Sequence, residues 1–204
     1  MITHPEDNSL HEWDLTTRQK TRSWPTTVGR YTGAISPDGT WYLTSILNPD
    51  TKTVTSLTKL TSGRQVDLHL PWFYAASFSS DGRLFAFGGW GENAVRLFET
   101  ATAKEVGKLL GIQGQLFGLG FSSDATRFMI GYGGHEGSQE IVTLHDMERH
   151  EKLLSLEGRG SLFEALAFSP DGNVLAACNS RGVLHLWRAP SWAEIEAAEK
   201  AQAK

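Results

Sequence analysis

Four copies of a short turn sequence divide the chain at nearly regular intervals. Each copy has a serine first and an aspartate third, and three of them end in glycine; the copies cover residues 36–39, 79–82, 122–125 and 169–172. Aspartate accepts hydrogen bonds from nearby backbone N–H groups, and glycine adopts positive φ at little cost, so each copy predicts a tight turn. The four aspartates are separated by 43, 43 and 47 residues, which indicates a structural repeat of that length.

The residues around each turn predict short β-strands. Apolar segments ending in Ile35, Phe78, Phe121 and Phe168 precede the turns. Short strands with regularly spaced turns are typical of an all-β protein, so we predict four-stranded antiparallel units over 28–70, 72–110 and 115–156, and three strands over 162–188. Second strands are predicted over 41–47, 84–90, 128–133 and 174–178, third strands over 53–58, 94–98, 141–145 and 183–187, and polar fourth strands over 64–70, 104–110 and 152–156.

The repeat resembles the WD-repeat family of β-propellers. The Trp-Asp pair that ends the third strand in that family is present once, as Trp13-Asp14, and a later repeat has His145-Asp146 at the matching place. The Gly-His pair that opens many family repeats is absent. The resemblance covers roughly residues 8–188. It implies a WD-type β-propeller of about four blades over 1–190, with blade boundaries near 26, 71, 113 and 159.

The two ends of the chain differ from the interior repeats. Residues 9–13 predict a third strand and 19–24 a fourth, and we expect nothing before Ser9 to supply the inner strands of that blade. Residues 191–204 begin with a capping-box pattern and predict a short C-terminal helix. Three arrangements follow: a fragment of a longer propeller, a four-blade ring closed by pairing 19–24 with 183–187, or a ring shared by two chains. Unpaired end blades predict self-association of the isolated chain.

The composition is that of a globular protein without a strongly charged surface. Of the 204 residues, 40% are hydrophobic and 21% are charged, and the formal net charge is −4. Binding of nucleic acid requires a basic surface, so we expect no nucleic-acid partner. The sequence shows no signal peptide and no apolar run of the roughly 18 residues that cross a membrane. We therefore predict a cytoplasmic protein that makes no membrane contact.

Several residues that could carry chemistry have a structural explanation instead. Residues 89–95 look like a kinase glycine-rich loop, but the lysine and aspartates of a kinase do not follow in order. The histidines His135, His145 and His150 lack the spacing of a metal site. Cys178, the only cysteine, lies in an apolar strand, which favours a buried thiol. We therefore predict no catalytic residue, no metal and no cofactor.

One repeated position is a candidate site for a partner. It lies four residues ahead of the large residue that ends each first strand, and the family resemblance implies that it opens the innermost strand near the top face, around the central channel. Aromatic residues anchor many interfaces, although packing between blades is the alternative interpretation. The predicted partner-binding residues are Tyr31, Trp72, Tyr74, Trp90, Phe117, Tyr132 and Glu164, whereas Phe78, Phe121 and Phe168 are predicted to be nearly fully buried.

These features favour a non-catalytic scaffold that binds a protein or peptide partner. A propeller offers a rigid rim with variable loops and needs no chemistry of its own. Residues 187–199 suggest an alternative, because they resemble the C-terminal end of large bacterial proteins whose WD repeats follow a serine/threonine kinase domain. The chain would then be the regulatory propeller of such a kinase. A propeller enzyme is a third class, which would need polar residues facing the channel.

Overall fold

The computed structural model describes residues 2–3, 9–25, 30–47, 54–70, 73–89, 93–112, 114–133, 140–158, 163–190, 194 and 201. Within these residues the chain forms five antiparallel sheets, in which strands adjacent in sequence are adjacent in the sheet. The all-β class and the repeated antiparallel four-stranded units predicted from the sequence are confirmed. Three four-stranded sheets are followed by a three-stranded one, as the spacing of the turns predicts.

We number the sheets in chain order. Sheet 1 contains β1 (Ile2–Thr3), β2 (Ser9–Asp14) and β3 (Gln19–Pro25). Sheet 2 contains β4 (Arg30–Ile35), β5 (Trp41–Leu47), β6 (Val54–Lys59) and β7 (Arg64–Asp67). Sheet 3 contains β8 (Phe73–Phe78), β9 (Leu84–Gly89), β10 (Ala94–Glu99) and β11 (Lys104–Leu110). Sheet 4 contains β12 (Gln115–Phe121), β13 (Arg127–Gly133), β14 (Ile141–Asp146) and β15 (Lys152–Glu157), and sheet 5 contains β16 (Phe163–Phe168), β17 (Val174–Asn179) and β18 (Leu184–Arg188).

The serine–aspartate turns form one hydrogen-bonded structure that repeats four times. In sheet 3, the Ser79 hydroxyl donates to Asp81 Oδ1 at 2.6 Å, and the backbone N–H of Arg83 donates to the same oxygen at 3.0 Å. The backbone N–H of Leu84 donates to Ser79 Oγ at 2.9 Å. The two bonds to Asp81, that of the Ser79 hydroxyl first and that of the Arg83 N–H second, lower the pKa of its carboxyl group. The same pattern begins at Ser36, Ser122 and Ser169.

The sheets pack face to face in the order of the chain. Between sheets 3 and 4, Val95 and Leu97 of β10 are fully buried in one core with Phe128 of β13. Phe98, the next residue of β10, belongs instead to the core that sheet 3 shares with sheet 2. Successive residues of a strand point to opposite faces, so the third strand of an interior sheet contributes to two cores. The core between sheets 2 and 3 also contains Leu43 and Phe73, and a third core lies around Val142 and Phe163 between sheets 4 and 5.

Sheet 1 packs face to face against sheet 2, as the later sheets do with their neighbours. Leu10 of β2 is buried in a core with Tyr42 and Leu60, which belong to sheet 2 and the turn that follows β6. The indole N–H of Trp24 donates to the backbone carbonyl of Leu60 at 3.0 Å, which adds a directional bond to that core. Each of sheets 2, 3 and 4 therefore has a neighbouring sheet on both faces.

Two of the three predicted core phenylalanines are less buried than expected. Phe78 is 7% exposed, which confirms its predicted burial, but Phe121 and Phe168 are only half-buried, so the prediction was wrong for them. Phe121 packs against the core between sheets 3 and 4, and Phe168 against the core between sheets 4 and 5, without being covered completely. Phe85 and Phe128 of the second strands are fully buried.

The chain ends bear on two of the expectations. Strand β1 pairs with β2 through Ile2 opposite Glu12, so one two-residue strand precedes Ser9 in this sheet, and a second inner strand is not found among the described residues. Among the described residues, β3 pairs with β2 and β18 pairs with β17, so the ring closure through 19–24 and 183–187 is not formed. Most of the predicted helix over 191–204 lies outside the described residues, as do most residues of the glycine-rich loops near 88–93 and 133–138. Glu194, which is described, forms a salt bridge with Arg188 at 2.9 Å.

Candidate functional site

The first strands of four sheets lie side by side and enclose a groove. Strand β4 lies next to β8, β8 next to β12, and β12 next to β16. The groove between them has a volume of about 270 Å³. Its lining comes from residue 33 of β4, residues 74–76 of β8, residues 117–119 of β12 and residues 164–166 of β16. Four sheets that are separate in hydrogen bonding thus contribute to one concave surface.

Three of the first strands carry a β-bulge at the same place. In β8 the pairing passes from Phe73 directly to Ala75, so Tyr74 is the extra residue. In β12 the extra residue is Phe117, and in β16 it is Glu164. A bulge bends its strand and changes the direction of the side chain that it carries, and bulges are common beside binding and active sites. The three bulged residues all line the groove.

Tyr74 and Phe117 form an aromatic pair across two sheets. Their ring centroids are 4.9 Å apart and the ring planes are tilted by 47°. Both side chains are half-buried, so each has one part packed in the protein and another part accessible from the groove. Burial raises the pKa of the Tyr74 hydroxyl, which keeps that hydroxyl protonated and able to act as a hydrogen-bond donor at neutral pH.

Glu164 gives the lining a carboxyl group. It is exposed and stands at the bulge of β16, in the position that Tyr74 and Phe117 occupy in their own sheets. The other lining residues are glycine, alanine and leucine apart from the two aromatic ones. The groove therefore offers apolar and aromatic contact with a carboxyl group at one side, which is the chemistry of a binding site.

Small residues directly after the bulges set the depth of the groove. Ala75, Gly118 and Ala165 hold that place in β8, β12 and β16. At Gly118, a Cβ atom would lie 2.8 Å from Cγ of Leu166, closer than such atoms approach, so glycine allows β12 and β16 to come together there. Sequence reasoning missed these residues, although their signal was present: a small residue follows the variable position in each of the three repeats.

The remaining predicted site residues have different outcomes. Tyr132 is 6% exposed and lies in the core between sheets 3 and 4, and it does not line the groove. Tyr31 lies in β4, but its side chain falls outside the described residues, as do Trp72 and Trp90 entirely. The structure therefore brings together Tyr74, Phe117 and Glu164 from the predicted set.

The histidines and the cysteine have structural surroundings where they are described. His145 is buried, a 3.0 Å hydrogen bond joins its Nε2 to Thr143 Oγ1, and burial followed by the charge of Lys152 lowers its pKa to about 4. Cys178 is half-buried, with its thiol 3.7 Å from the backbone carbonyl of Asn179. His135 lies outside the described residues. In the part of the chain that the structure describes, no three histidine, cysteine or acidic residues are grouped as metal ligands.

Comparisons with known proteins add no relative from which a function could be transferred. No protein-family model matches the chain, and no curated protein matches it. Within the described residues, no helix has both the length and the apolar character that crossing a membrane requires.

Proposed function

We propose that this chain is a WD-type β-propeller segment that acts as a non-catalytic scaffold and binds a protein or peptide in the groove between its first strands. The observation that carries the proposal is the repeated bulge: three successive sheets place their extra residue, Tyr74, Phe117 or Glu164, in one groove. Each bulge lies near the start of its strand, with one residue pair before it in β8 and β16 and two in β12, and regular pairing follows it. The extra residue takes no part in the ladder, so its side chain is available to the groove.

The lining favours a partner with an apolar side chain next to a basic one. Tyr74 and Phe117 present aromatic surface, which anchors many protein interfaces because it combines a large contact area with few rotatable bonds. Glu164 places a carboxyl group beside them, which pairs with a lysine or arginine of the partner. A formal net charge of −4 favours a basic peptide over a nucleic acid.

Binding is also favoured over catalysis by the kinds of side chain present. Catalysis by a hydroxyl or thiol nucleophile commonly needs a base within hydrogen-bond reach of that nucleophile. The described lining contributes the Tyr74 hydroxyl and the Glu164 carboxyl group as its polar side chains, and they stand on β8 and β16 with β12 between them. That arrangement suits recognition of a side chain.

The WD-type assignment is supported by the repeat and by the packing. Sheets of up to four antiparallel strands follow one another at the period of the serine–aspartate turns, and each packs on the next with its first strand at the groove. A propeller places the first strands of its blades around a central channel in this way. Trp13-Asp14 at the end of β2 is the one surviving Trp-Asp pair.

A selection of displayed random peptides against the purified chain tests this proposal. We expect selected peptides to carry an aromatic or aliphatic residue near a lysine or arginine. The double variant Tyr74→Ala/Phe117→Ala should weaken their binding by about tenfold or more, and Glu164→Gln should weaken it by about threefold to tenfold. Val106→Ala, on exposed β11 away from the groove, is the matched control and should bind like wild type. Selected peptides that bind all variants equally would exclude the groove as the site.

A further inference from the structure

The last sheet has an apolar face that no described sheet covers. Leu184 and Leu186 of β18 are 60% and 62% exposed. They pair with Cys178 and Ala176 of β17, which places these four side chains on one face. The alternate residues of β18, His185 and Trp187, are less exposed and lie on the other side, where Trp187 packs against the core shared with sheet 4.

The interior sheets show what covers this face elsewhere in the molecule. Leu184 and Leu186 hold the places in β18 that Val95 and Leu97 hold in β10, and those two residues are fully buried against sheet 4. In β14 the same place is held by Val142, which is fully buried against Phe163 of sheet 5. The exposed face of sheet 5 therefore continues an interface that the molecule repeats from sheet to sheet.

Sheet 1 repeats the third-strand part of the matching half of that interface. The sequence Leu-His-x-Trp occurs in β2, with His11 and Trp13, and again in β18, with His185 and Trp187. In β18 the two rings are stacked with centroids 5.5 Å apart on the face toward sheet 4. In β2, Leu10 is buried toward sheet 2, so alternation places the half-buried His11 and Trp13 on the opposite face.

We propose that two copies of this chain associate through two different faces. The outer face of sheet 5 in one copy, which carries Leu184 and Leu186, packs on the outer face of sheet 1 in a second copy, which carries His11 and Trp13. In this contact, Leu184 and Leu186 of one copy would lie against His11 and Trp13 of the other copy. Within one chain, Val142 and its neighbours in sheet 4 lie in the same way against the face of sheet 5 that carries His185 and Trp187. The second copy is the occupant because this chain itself carries a face with histidine and tryptophan at the same two third-strand positions. The contact joins two different surfaces, so it is heterologous and builds rings or open chains of copies.

Sedimentation velocity of the purified full chain at increasing concentration is the first measurement. Wild type should shift from monomer to dimer and larger species. Leu186→Glu should weaken association by about tenfold or more, since it puts a charge into an apolar contact. Leu110→Glu is the matched control, because Leu110 is 72% exposed on sheet 3, away from both faces, and this variant should associate like wild type. A wild-type chain that remains monomeric at every concentration would overturn the proposal.

A mixing experiment tests the identity of the two faces. Leu186→Glu blocks the sheet 5 face and leaves the sheet 1 face intact, whereas Trp13→Glu does the reverse. Their mixture should therefore form a 1:1 dimer at concentrations where each variant alone is monomeric. His11→Glu serves as a second sheet 1 variant, and circular dichroism verifies that each variant keeps its strand content. If the mixture stays monomeric while wild type associates, sheet 5 binds something other than sheet 1, and the proposed pairing is wrong.

Discussion

The rings of Tyr74 and Phe117 are 4.9 Å apart although the two residues belong to different sheets and are separated by a full repeat of the sequence. Each is the extra residue of a bulge, so neither ring takes part in the regular face of its own strand. The contact therefore joins sheets 3 and 4 at the groove as well as through the core behind it. It links the stability of the sheet arrangement to the shape of the candidate site.

A double-mutant cycle measures this link. Tyr74→Ala and Phe117→Ala should show a coupling of about 0.5–1.5 kcal/mol in the free energy of unfolding, because tilted aromatic pairs contribute that much beyond buried area. Urea denaturation of the two single variants and the double variant gives the value. Tyr74→Ala combined with Val106→Ala is the control pair and should be additive. A coupling of zero for the aromatic pair would mean that the two rings do not stabilise each other.

The close approach of β12 and β16 predicts a second effect on stability. In Gly118→Ala the new methyl group would meet the Leu166 side chain at 2.8 Å, and overpacking of this kind costs about 1–3 kcal/mol. Denaturant unfolding should show this loss. The double variant Gly118→Ala/Leu166→Ala should lose less than the sum of the two single changes, since the second change removes the atoms in conflict. Additive losses would contradict the close approach.

One of the four turns contains a residue with unfavourable backbone geometry. Ala125 has φ of 57°, where the other three turns have glycine, for example Gly82 at 69°. Ala125→Gly should raise the free energy of unfolding by about 0.5–1 kcal/mol. The substitution removes the strain that alanine has in the left-handed region, and this gain exceeds the entropy that glycine adds to the unfolded chain. Gly82→Ala is the matched change in the opposite direction and should lower it by a similar amount. Thermal unfolding measures both, and a loss of stability in Ala125→Gly would contradict the turn geometry.

The buried His145 predicts a specific dependence of stability on pH. Its pKa is about 4 in the folded protein against 6.5 in the unfolded chain, so the unfolded state binds the proton first as pH falls. The neutral imidazole stabilises the fold fully above pH 6.5, and about 3 kcal/mol of stability is lost as pH falls from 6.5 to 4. The variant His145→Phe should remove this dependence of stability on pH. Phenylalanine is the residue that sheet 3 has at the matching position, Phe98.

Urea unfolding between pH 4 and 7 checks this effect of His145. His69→Asn is the control, since the His69 side chain is 85% exposed and asparagine tolerates the positive φ of that position. The control should keep the wild-type slope. If His145→Phe also keeps it, another group is responsible for the pH dependence.

The strands and turns were predictable from the sequence because their causes are local. The turn that begins at Ser79 is held by bonds among residues no more than five apart, and the same residues recur in each repeat. The position of Tyr74, Phe117 and Glu164 followed from their constant distance to the end of the first strand. Their bulges did not, because a bulge depends on the pairing partner as well as on the strand that contains it.

Burial within the sheets was less predictable. Strands of sheets 3 and 4 are covered on both faces, so alternation of side chains does not separate a core face from a solvent face. Tyr132 illustrates this, since an aromatic residue near the end of β13 lies in the core between these sheets. Phe121 and Phe168 show the converse, because each packs against a core and still remains partly exposed, whereas Phe78 at the same repeat position is buried.

The bulges have a consequence for how this molecule can change over evolution or in the laboratory. Each places one side chain outside the ladder, so its chemical type is not constrained by cross-strand pairing, and tyrosine, phenylalanine and glutamate occupy the same place in sheets 3, 4 and 5. Substitutions at these three positions therefore leave strand register unchanged. Under the proposed function, a library restricted to positions 74, 117 and 164 would explore new ligands with the same strand pairing, at the cost of the stability that the Tyr74–Phe117 contact contributes.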